Sequence, residues 1–446
     1  MSDTQARPQR VRLVRGGRLV DPSQDLDGRF DLLIEDGHVA RIAPEIACPK
    51  SAEITEAAGL VVVPGLIDIH VHLREPGFEY KETVASGLAA AAAGGFTAVA
   101  CMANTTPVND NRSVTEHILR EAARHPLARV YPIGAVSSGL AGERLAEIGD
   151  MALAGAVAFS DDGLPVTNAE LMRRALQYVQ HFDAPVIQHA ENLDLSAAGV
   201  MHEGAWSTRL GLPGIPGAAE DVMVARDLLL AEDTGGRYHV AHLSTGRALE
   251  LLRLFRQRGV RATCEVTPHH LLLSDQQVNE HAFATCTKMK PPLRAAADVE
   301  ALRIGIADGS IDCIASDHAP HHPDEKDVQF SAAPFGIVGL ETTLSLCLDR
   351  LVGHDIISLP RLVELLASGP ARVLGLPGGS LAPGRVADIT LIDLACPVTV
   401  DPEAFCSLGR STPFAGWHLR GAAAGTLLAG EPVRAPVPAG AVGDDR

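Results

Sequence analysis

The chain has 446 residues, of which 46% are hydrophobic and 21% are charged, and its formal net charge is −17. This composition is typical of a globular protein and argues against a disordered, fibrous or membrane-spanning chain. The negative charge argues against nucleic acid and anionic membranes as partners, because both bind a basic face. The eight cysteines lack CxxC spacing and are too sparse for a disulfide-stapled domain, which indicates reduced thiols.

Both ends of the chain predict short β-strands. The opening segment, MSDTQARPQRVR, has no apolar core and no small-residue cleavage site, so we expect a cytoplasmic protein. Strand-like runs with Gly and Asp turns follow in VRLVRGGRLVD and DLLIEDGHVARIAP, and return near the C-terminus in ADITLIDL and GWHLRGAAAGTLLAGEPV. We predict that residues 1–60 and 375–446 form one small β-sandwich domain, which ends in a flexible tail, APVPAGAVGDDR.

The middle of the chain, residues 61–374, alternates short β-branched runs with amphipathic segments. The strand candidates are VVVPGLIDIHVH, GGFTAVACM, RVYPIGAV, GAVAFSDDG, APVIQHAE, RYHVAHLS, ATCEVTPHH and IDCIASDHAP. Segments such as NAELMRRALQYVQHF and RALELLRLFRQRGV show the apolar spacing of helices. This alternation predicts an α/β fold with a (β/α)8 barrel, in which the polar residues that end nearly every strand meet on one face.

A pair of histidines lies at the end of the first of these strand candidates. His70 and His72 are two residues apart, so a strand would present both imidazoles on one face. The pair alone is weak evidence, but further polar residues end other strand candidates: Asp162, His189, His242 and Asp317. Imidazole and carboxylate groups suit zinc, and a pair of zinc ions lowers the pKa of a shared water to near neutrality. The pattern predicts a metal-dependent hydrolase, with ordinary polar strand ends as the alternative.

Several motifs occur along the chain in a fixed order: HVHLREPGFEYKE, MANT, AFSDDG, TPHHL, PPLR, SDHAPHH and PFGIVGLET. With GGRLVDP before them and STPFAGW after them, they resemble the amidohydrolase superfamily and, within it, the bacterial dihydroorotases that lack a modified lysine. The resemblance implies the reversible interconversion of N-carbamoyl-L-aspartate and dihydroorotate in de novo pyrimidine biosynthesis. It also implies two zinc ions, the second of which can be partly occupied. We expect a homodimer, and association with aspartate transcarbamoylase stays open.

The resemblance assigns the metal ligands residue by residue. One zinc would be held by His70, His72 and Asp317, the other by His189 and His242, and Asp162 would bridge them. Asp162, and not Asp161, is matched to the bridging aspartate of the family by its separation from His189 along the sequence. If that match is shifted by one residue, Asp161 takes its place. Asp317 would also act as the catalytic base and acid, because a carboxylate beside the nucleophile can take a proton and return it to the departing amide nitrogen.

Recognition of the substrate carboxylate by an acidic protein requires a local cation. Arg74 follows His72 by two residues, and its planar fork suits bidentate carboxylate binding. The other substrate contacts that the resemblance implies are those of His72, Asn104, Lys290, His321, Phe335 and Gly336. Lys290 is a departure, because many relatives have an asparagine before PPLR. The amide contact is therefore either replaced by a cation or lost.

Two other functions are weighed against this one. Hydantoinases, dihydropyrimidinases and allantoinases share the barrel but typically carry a carboxylated lysine at the end of the fourth strand, where this chain has AGAVAFSDDG without lysine. A catalytically inactive scaffold subunit for aspartate transcarbamoylase would have lost metal ligands, whereas this chain keeps all those named above.

Some histidines are predicted to be structural. His269 and His270 are adjacent and would point to opposite faces of a strand. A second group has no evident convergent partners in the sequence, and we expect its members to lie on the surface or in the packing: His181, His202, His239 and His281.

Overall fold

The structure, a computed structural model, describes residues 10–434. The predicted C-terminal tail lies outside the described residues. Strands β1 to β5 are Val11–Asp21, Leu26–Glu35, His38–Ala43, Glu53–Glu56 and Val61–Pro64. Strands β6 to β15 are Leu66–Val71, Phe96–Cys101, Arg129–Gly134, Ala158–Phe159, Pro185–Gln188, Met201–His202, Gly214–Ile215, Arg237–Val240, Ala262–Val266 and Cys313–Ile314. Strands β16 to β18 are Ile389–Thr399, His418–Leu428 and Glu431–Arg434.

One sheet joins strands from both ends of the chain. Its order is β18-β17-β16-β5-β1-β2-β3, and β4 pairs beside β5 along the long strand β1. Apolar side chains from β1, β2, β5, β16 and β17 pack together in one buried cluster, so the sheet folds over its own core. The small β-sandwich built from both chain ends is therefore confirmed.

The second sheet is a closed ring of parallel strands. Its order is β6-β7-β8-β9-β10-β13-β14-β15, and a parallel bridge between Val71 and His318 joins its two ends. The interior is filled by small and β-branched side chains such as Ala98, Ala158 and Ile187. The predicted (β/α)8 barrel is confirmed.

The first predicted barrel strand is divided in the structure. Its first half, β5, pairs with β1 and β16 in the small sheet, whereas its second half, β6, pairs with β7 in the barrel. The division falls at Gly65, where a Cβ atom would lie 2.1 Å from Oγ1 of Thr97. Only glycine allows the two backbones to pack this closely.

Helices cover the outside of the barrel. Helices α1 to α8 are Val84–Gly94, Arg112–Arg124, Ile148–Ala154, Ala169–Tyr178, Leu193–Ser196, Ala205–Leu210, Ala218–Thr234 and Gly246–Gln257. Helices α9 to α15 are Pro268–Leu272, Gln277–Glu280, Ala296–Ala307, Pro323–Lys326, Thr343–Cys347, Leu359–Val363 and Gly369–Leu374, and α13 and α14 continue as π-helical turns. The two segments predicted as helices correspond to α4 and α8. Within residues 10–434, no helix has the length and apolarity needed to cross a membrane.

Candidate metal centre

Polar side chains gather at the carboxyl end of the barrel. Each belongs to the end of a strand or to the few residues after it, on β6, β9, β10, β13 and β15, and each is at most 7% exposed: His70, His72, Asp162, His189, His242 and Asp317. Because parallel strands of a closed barrel run in the same direction, residues far apart in the sequence meet at this rim.

Asp162 lies between two pairs of histidines. Its Oδ2 is 3.4 Å from Nε2 of His70 and 3.5 Å from Nε2 of His72. Its Oδ1 is 3.5 Å from Nδ1 of His189 and 3.4 Å from Nε2 of His242. Each carboxylate oxygen therefore faces a different pair of imidazole nitrogens, which is the arrangement a bridging ligand requires.

Asp317 faces the first of these pairs. Its Oδ1 lies 3.3 Å from Nε2 of His72 and 3.5 Å from Nε2 of His70. Burial disfavours the charged form of Asp317, but the neighbouring His70 and His72 lower its pKa below the usual carboxyl value. Its backbone has a φ of 48°, in the left-handed region. A strained residue of this kind is held in place by its surroundings, and such residues cluster at functional sites.

The donor set fits a pair of metal ions. Two groups of three side chains share Asp162, and within each group the ligand atoms lie within 4.8 Å of one another. The first group is His70, His72 and Asp162, and the second is Asp162, His189 and His242. Nε2 of His70 and Oδ1 of Asp162 are buried and have no hydrogen-bond partner among the described residues. Such atoms are costly to bury unless something binds them, and a divalent cation would satisfy both.

Asp161 has a different environment from Asp162. Its carboxylate accepts hydrogen bonds from the backbone N–H groups of Val136 and Ser137 at 2.8 and 2.9 Å, and from the Ser137 hydroxyl. It fastens the loop after β8 and lies in neither group of ligand atoms.

Glu265, the second-last residue of β14, was missed by the sequence reasoning. Its Oε1 lies 2.5 Å from Nδ1 of His70, and its Oε2 lies 3.3 Å from Nε2 of His239. His239, which was expected to lack partners, is buried and also contacts the Thr263 hydroxyl at 2.8 Å. The signal in the sequence was an ionisable residue within a predicted barrel strand, because a buried charge requires a partner.

Glu191 was also missed, although it follows the predicted ligand His189 by two residues. Its Oε2 lies 3.2 Å from Nε2 of His189 and 2.9 Å from Nζ of Lys290. Burial opposes ionisation of Glu191, but His189 and Lys290 lower its pKa to about 2. Lys290 is thus brought to the site through an ion pair.

Arg74 and Asn104 lie beside the first pair of histidines. Nδ1 of His72 is 2.9 Å from Oδ1 of Asn104, so the amide orients the imidazole. Arg74 is half-buried and donates its Nε to the carbonyl of Pro320 at 3.1 Å. Burial lowers the pKa of Arg74 to about 10, a value at which it remains a cation near neutrality.

The loop at residues 334–337 is held by side chains that bind its carbonyl groups. Nε2 of His321 lies 2.8 Å from the carbonyl oxygen of Phe335, and Nζ of Lys326 donates to the carbonyls of Pro334 and Gly336 at 2.9 and 2.8 Å. Burial and nearby cations lower the pKa of His321 to about 3, so its ring is neutral and donates through Nε2. Gly336 has a φ of 131°, which favours glycine.

The adjacent His269 and His270 lie on a helix, so the expectation of a strand is wrong at these positions. Thr267 caps α9, and Pro268 occupies its first turn, where a missing N–H costs nothing. His270 contacts the Thr267 hydroxyl and the Pro291 carbonyl, which is a structural role. His269 is buried, and its Nε2 has no hydrogen-bond partner within residues 10–434.

Comparisons with known proteins agree with this geometry. The family model described as dihydro-orotase-like matches residues 59–248. A dihydroorotase from Syntrophotalea carbinolica is 53% identical over 418 residues, which cover 94% of this chain and 97% of that protein. A dihydroorotase from Anaeromyxobacter dehalogenans is 53% identical over 420 residues, with 94% and 97% covered. The solved L-hydantoinase (dihydropyrimidinase) from Arthrobacter aurescens is 27% identical, with a TM-score of 0.85 and 94% and 95% covered.

The similarity extends over both sheets and not over the barrel alone, because 94% of the chain is aligned with these dihydroorotases. A barrel fold alone would not indicate the activity, because one fold hosts many activities. An identity of 53% over that length is, however, far above that of unrelated enzymes that share only a barrel. The chain therefore belongs to the dihydroorotase family of cyclic amidohydrolases.

Proposed function

We propose that this protein is a zinc-dependent dihydroorotase, which reversibly cyclises N-carbamoyl-L-aspartate to dihydroorotate. The observation that carries the proposal is the position of Asp162, whose two oxygens face two separate pairs of histidines. A carboxylate shared in this way supports a two-ion centre without a carboxylated lysine. The names of the relatives supply the substrate.

In the proposed centre, one ion would be held by His70, His72 and Asp317, a second by His189 and His242, and Asp162 would be shared between them. Two zinc ions would supply a hydroxide nucleophile near neutral pH and polarise the ring carbonyl. The protein's part is to fix the ligand atoms. The contacts of Glu265 with His70 and of Asn104 with His72 each leave the Nε2 of the imidazole facing the centre.

Asp317 is the proposed catalytic base and acid. In the hydrolytic direction its carboxylate accepts the proton of the nucleophile as the carbon–oxygen bond forms. It then donates that proton to the amide nitrogen as the carbon–nitrogen bond breaks, so the carboxylate is regenerated. In the cyclising direction the same two transfers run in reverse. A buried carboxylate with a lowered pKa is ionised before the reaction, as a base must be.

Recognition of the α-carboxylate is assigned to Arg74. Only its Nε donates to the protein, and within the described residues its terminal nitrogens make no hydrogen bond, so the fork can bind a carboxylate. Asn104 accepts from His72 through Oδ1, which leaves its NH₂ group to donate to the substrate. We assign the remaining contacts to His321 and to the backbone at Phe335 and Gly336.

The test follows the loss of dihydroorotate absorbance by purified protein, before chelation, after chelation and after zinc is added back. We expect activity that is abolished by the chelator and restored by zinc. Hydantoin and dihydrouracil are assayed in parallel. If either is opened faster than dihydroorotate, the protein is a cyclic amidase of another specificity. Metal analysis of the same sample gives the number of ions bound.

We also infer that the enzyme works as a cytoplasmic homodimer, the state that the sequence leads us to expect. Light scattering of the purified protein measures the subunit number directly. Co-purification with aspartate transcarbamoylase from the same cells tests a physical association between the two enzymes.

A further inference from the structure

Lys290 precedes the PPLR motif, and the structure gives it a specific partner, Glu191. We propose that Lys290 is a positioning residue for the metal ligand His189, acting through Glu191, and not a ligand of the substrate carboxylate. The inference rests on the proposed function, because it takes His189 to hold an ion.

The two ring nitrogens of His189 face different neighbours. Nδ1 lies 2.9 Å from Nε2 of His242 and 3.5 Å from Oδ1 of Asp162, on the side of the proposed ions. Nε2 lies 3.2 Å from Oε2 of Glu191, on the opposite side. A carboxylate at Nε2 keeps the proton on that nitrogen and leaves the Nδ1 lone pair for a metal.

The position of Glu191 depends in turn on Lys290. The carboxylate of Glu191 is buried, and its Oε2 contacts both Nε2 of His189 and Nζ of Lys290, the latter at 2.9 Å. Its Oε1 is buried without a hydrogen-bond partner among the described residues. One oxygen therefore takes both contacts, and in residues 10–434 the basic side chains within ion-pair distance of Glu191 are those of Lys290 and His189.

The ammonium group of Lys290 is engaged on a second side as well. It lies 5.3 Å from the centroid of the ring of Phe335, a residue whose backbone is assigned a substrate contact above. A cation that is neutralised by a buried carboxylate and stacked on an aromatic ring has little free charge to offer an anionic substrate. Arg74, whose terminal nitrogens bind no protein group within residues 10–434, is the better partner for that anion.

The test is a double-mutant cycle on the zinc-loaded, full-length protein. Its members are Lys290→Met, Glu191→Gln and the double variant, because methionine keeps the apolar stem and glutamine keeps the shape of the carboxylate. Lys290→Arg retains the charge and serves as the conservative variant. Lys50→Met removes an exposed lysine from the segment before β4 and is the matched control.

Thermal unfolding is the first measurement. Lys290→Met should lower Tm by a few degrees, because it leaves a buried carboxylate without its cation. In the Glu191→Gln background the same change should shift Tm by less than half as much, since no charge remains to be neutralised. Lys290→Arg and Lys50→Met should stay close to wild type. Equal shifts in both backgrounds would overturn the proposal.

Zinc affinity, measured by competition with a chelator, is the second measurement. Glu191→Gln should weaken the binding of one ion roughly 10- to 100-fold, as expected for the partner of a ligand imidazole. Adding Lys290→Met to that variant should cause no further loss. A zinc affinity that is unchanged by Glu191→Gln would remove the link from Lys290 to the metal.

Kinetics separate positioning from substrate binding. If Lys290 acts through Glu191, Lys290→Met lowers kcat/KM by the same factor for dihydroorotate and for dihydrouracil, which has no carboxylate. A rise in KM for dihydroorotate alone, of equal size in the wild-type and Glu191→Gln backgrounds, would make Lys290 a substrate ligand and overturn the proposal. If wild-type protein does not open dihydroorotate, the proposed function fails. The double-mutant cycles on Tm and on zinc affinity would still decide the role of Lys290.

Discussion

Asp161 and Asp162 are neighbours in the chain, yet their carboxylates face different parts of the molecule. That of Asp162 lies within 3.5 Å of nitrogen atoms from four histidines, whereas that of Asp161 accepts from the backbone of Val136 and Ser137. The same residue type therefore has a proposed metal-binding role at one position and a loop-fastening role at the next.

Replacing each aspartate by alanine should separate these roles. Asp162→Ala should lower both the metal content and the rate, because the bridging carboxylate is lost. Asp161→Ala should keep its metal but unfold more easily, by roughly 1 to 3 kcal/mol for the donors left unpaired. Metal analysis and thermal unfolding of both variants check this. A loss of metal in Asp161→Ala alone would mean that Asp161 is the bridging ligand.

Asp317→Asn should fold and keep at least one metal ion, because the other proposed ligands remain. Its turnover should fall roughly 10²- to 10⁴-fold, the usual contribution of a general base and acid. The measurement is kcat together with metal content, and Asp233→Asn, on the exposed surface of α7, is the control. Near-normal turnover in Asp317→Asn would remove the proposed proton carrier.

Glu265→Gln should weaken metal binding, because the neutral amide polarises and orients His70 less strongly than the carboxylate 2.5 Å from its Nδ1 does. We expect a loss of roughly 10- to 100-fold in zinc affinity. Chelator competition measures it, and Glu250→Gln, on the exposed face of α8, is the control. Equal affinities in the two variants would show that the contact serves packing alone.

Arg74→Ala should lose dihydroorotate recognition without losing metal. Deleting one partner of a charge-assisted bidentate pair costs about 2 to 5 kcal/mol, which corresponds to roughly 30-fold to several-thousand-fold in kcat/KM. Arg74→Lys should recover little of this, because an ammonium cannot reproduce the planar fork. Dihydrouracil, which lacks the carboxylate, should be opened at an unchanged rate.

Both substrates and the metal content are therefore measured side by side in wild type and Arg74→Ala. Arg112→Ala, which removes an exposed arginine from α2, is the control. An equal drop for the two substrates would assign Arg74 a structural role, and so would an unchanged rate for dihydroorotate.

The sequence by itself determined the barrel and the residue types at its rim. Alternating apolar runs and amphipathic segments predict βα units, and the period of two in a strand predicts that His70 and His72 share a face. The motifs predicted the family, which the comparisons confirm. These features are local, so each can be recognised within a few residues of chain.

Only the tertiary structure decided which side chains support the proposed ligands. His70 and Glu265 are 195 residues apart, and no local pattern links them. Glu191 and Lys290 are likewise joined only because the segment after β10 and the segment between α10 and α11 reach the same rim. The division of one predicted strand between two sheets has the same origin. Contacts of this kind depend on how the barrel closes, since closure sets which strand ends become neighbours and in which direction each side chain points.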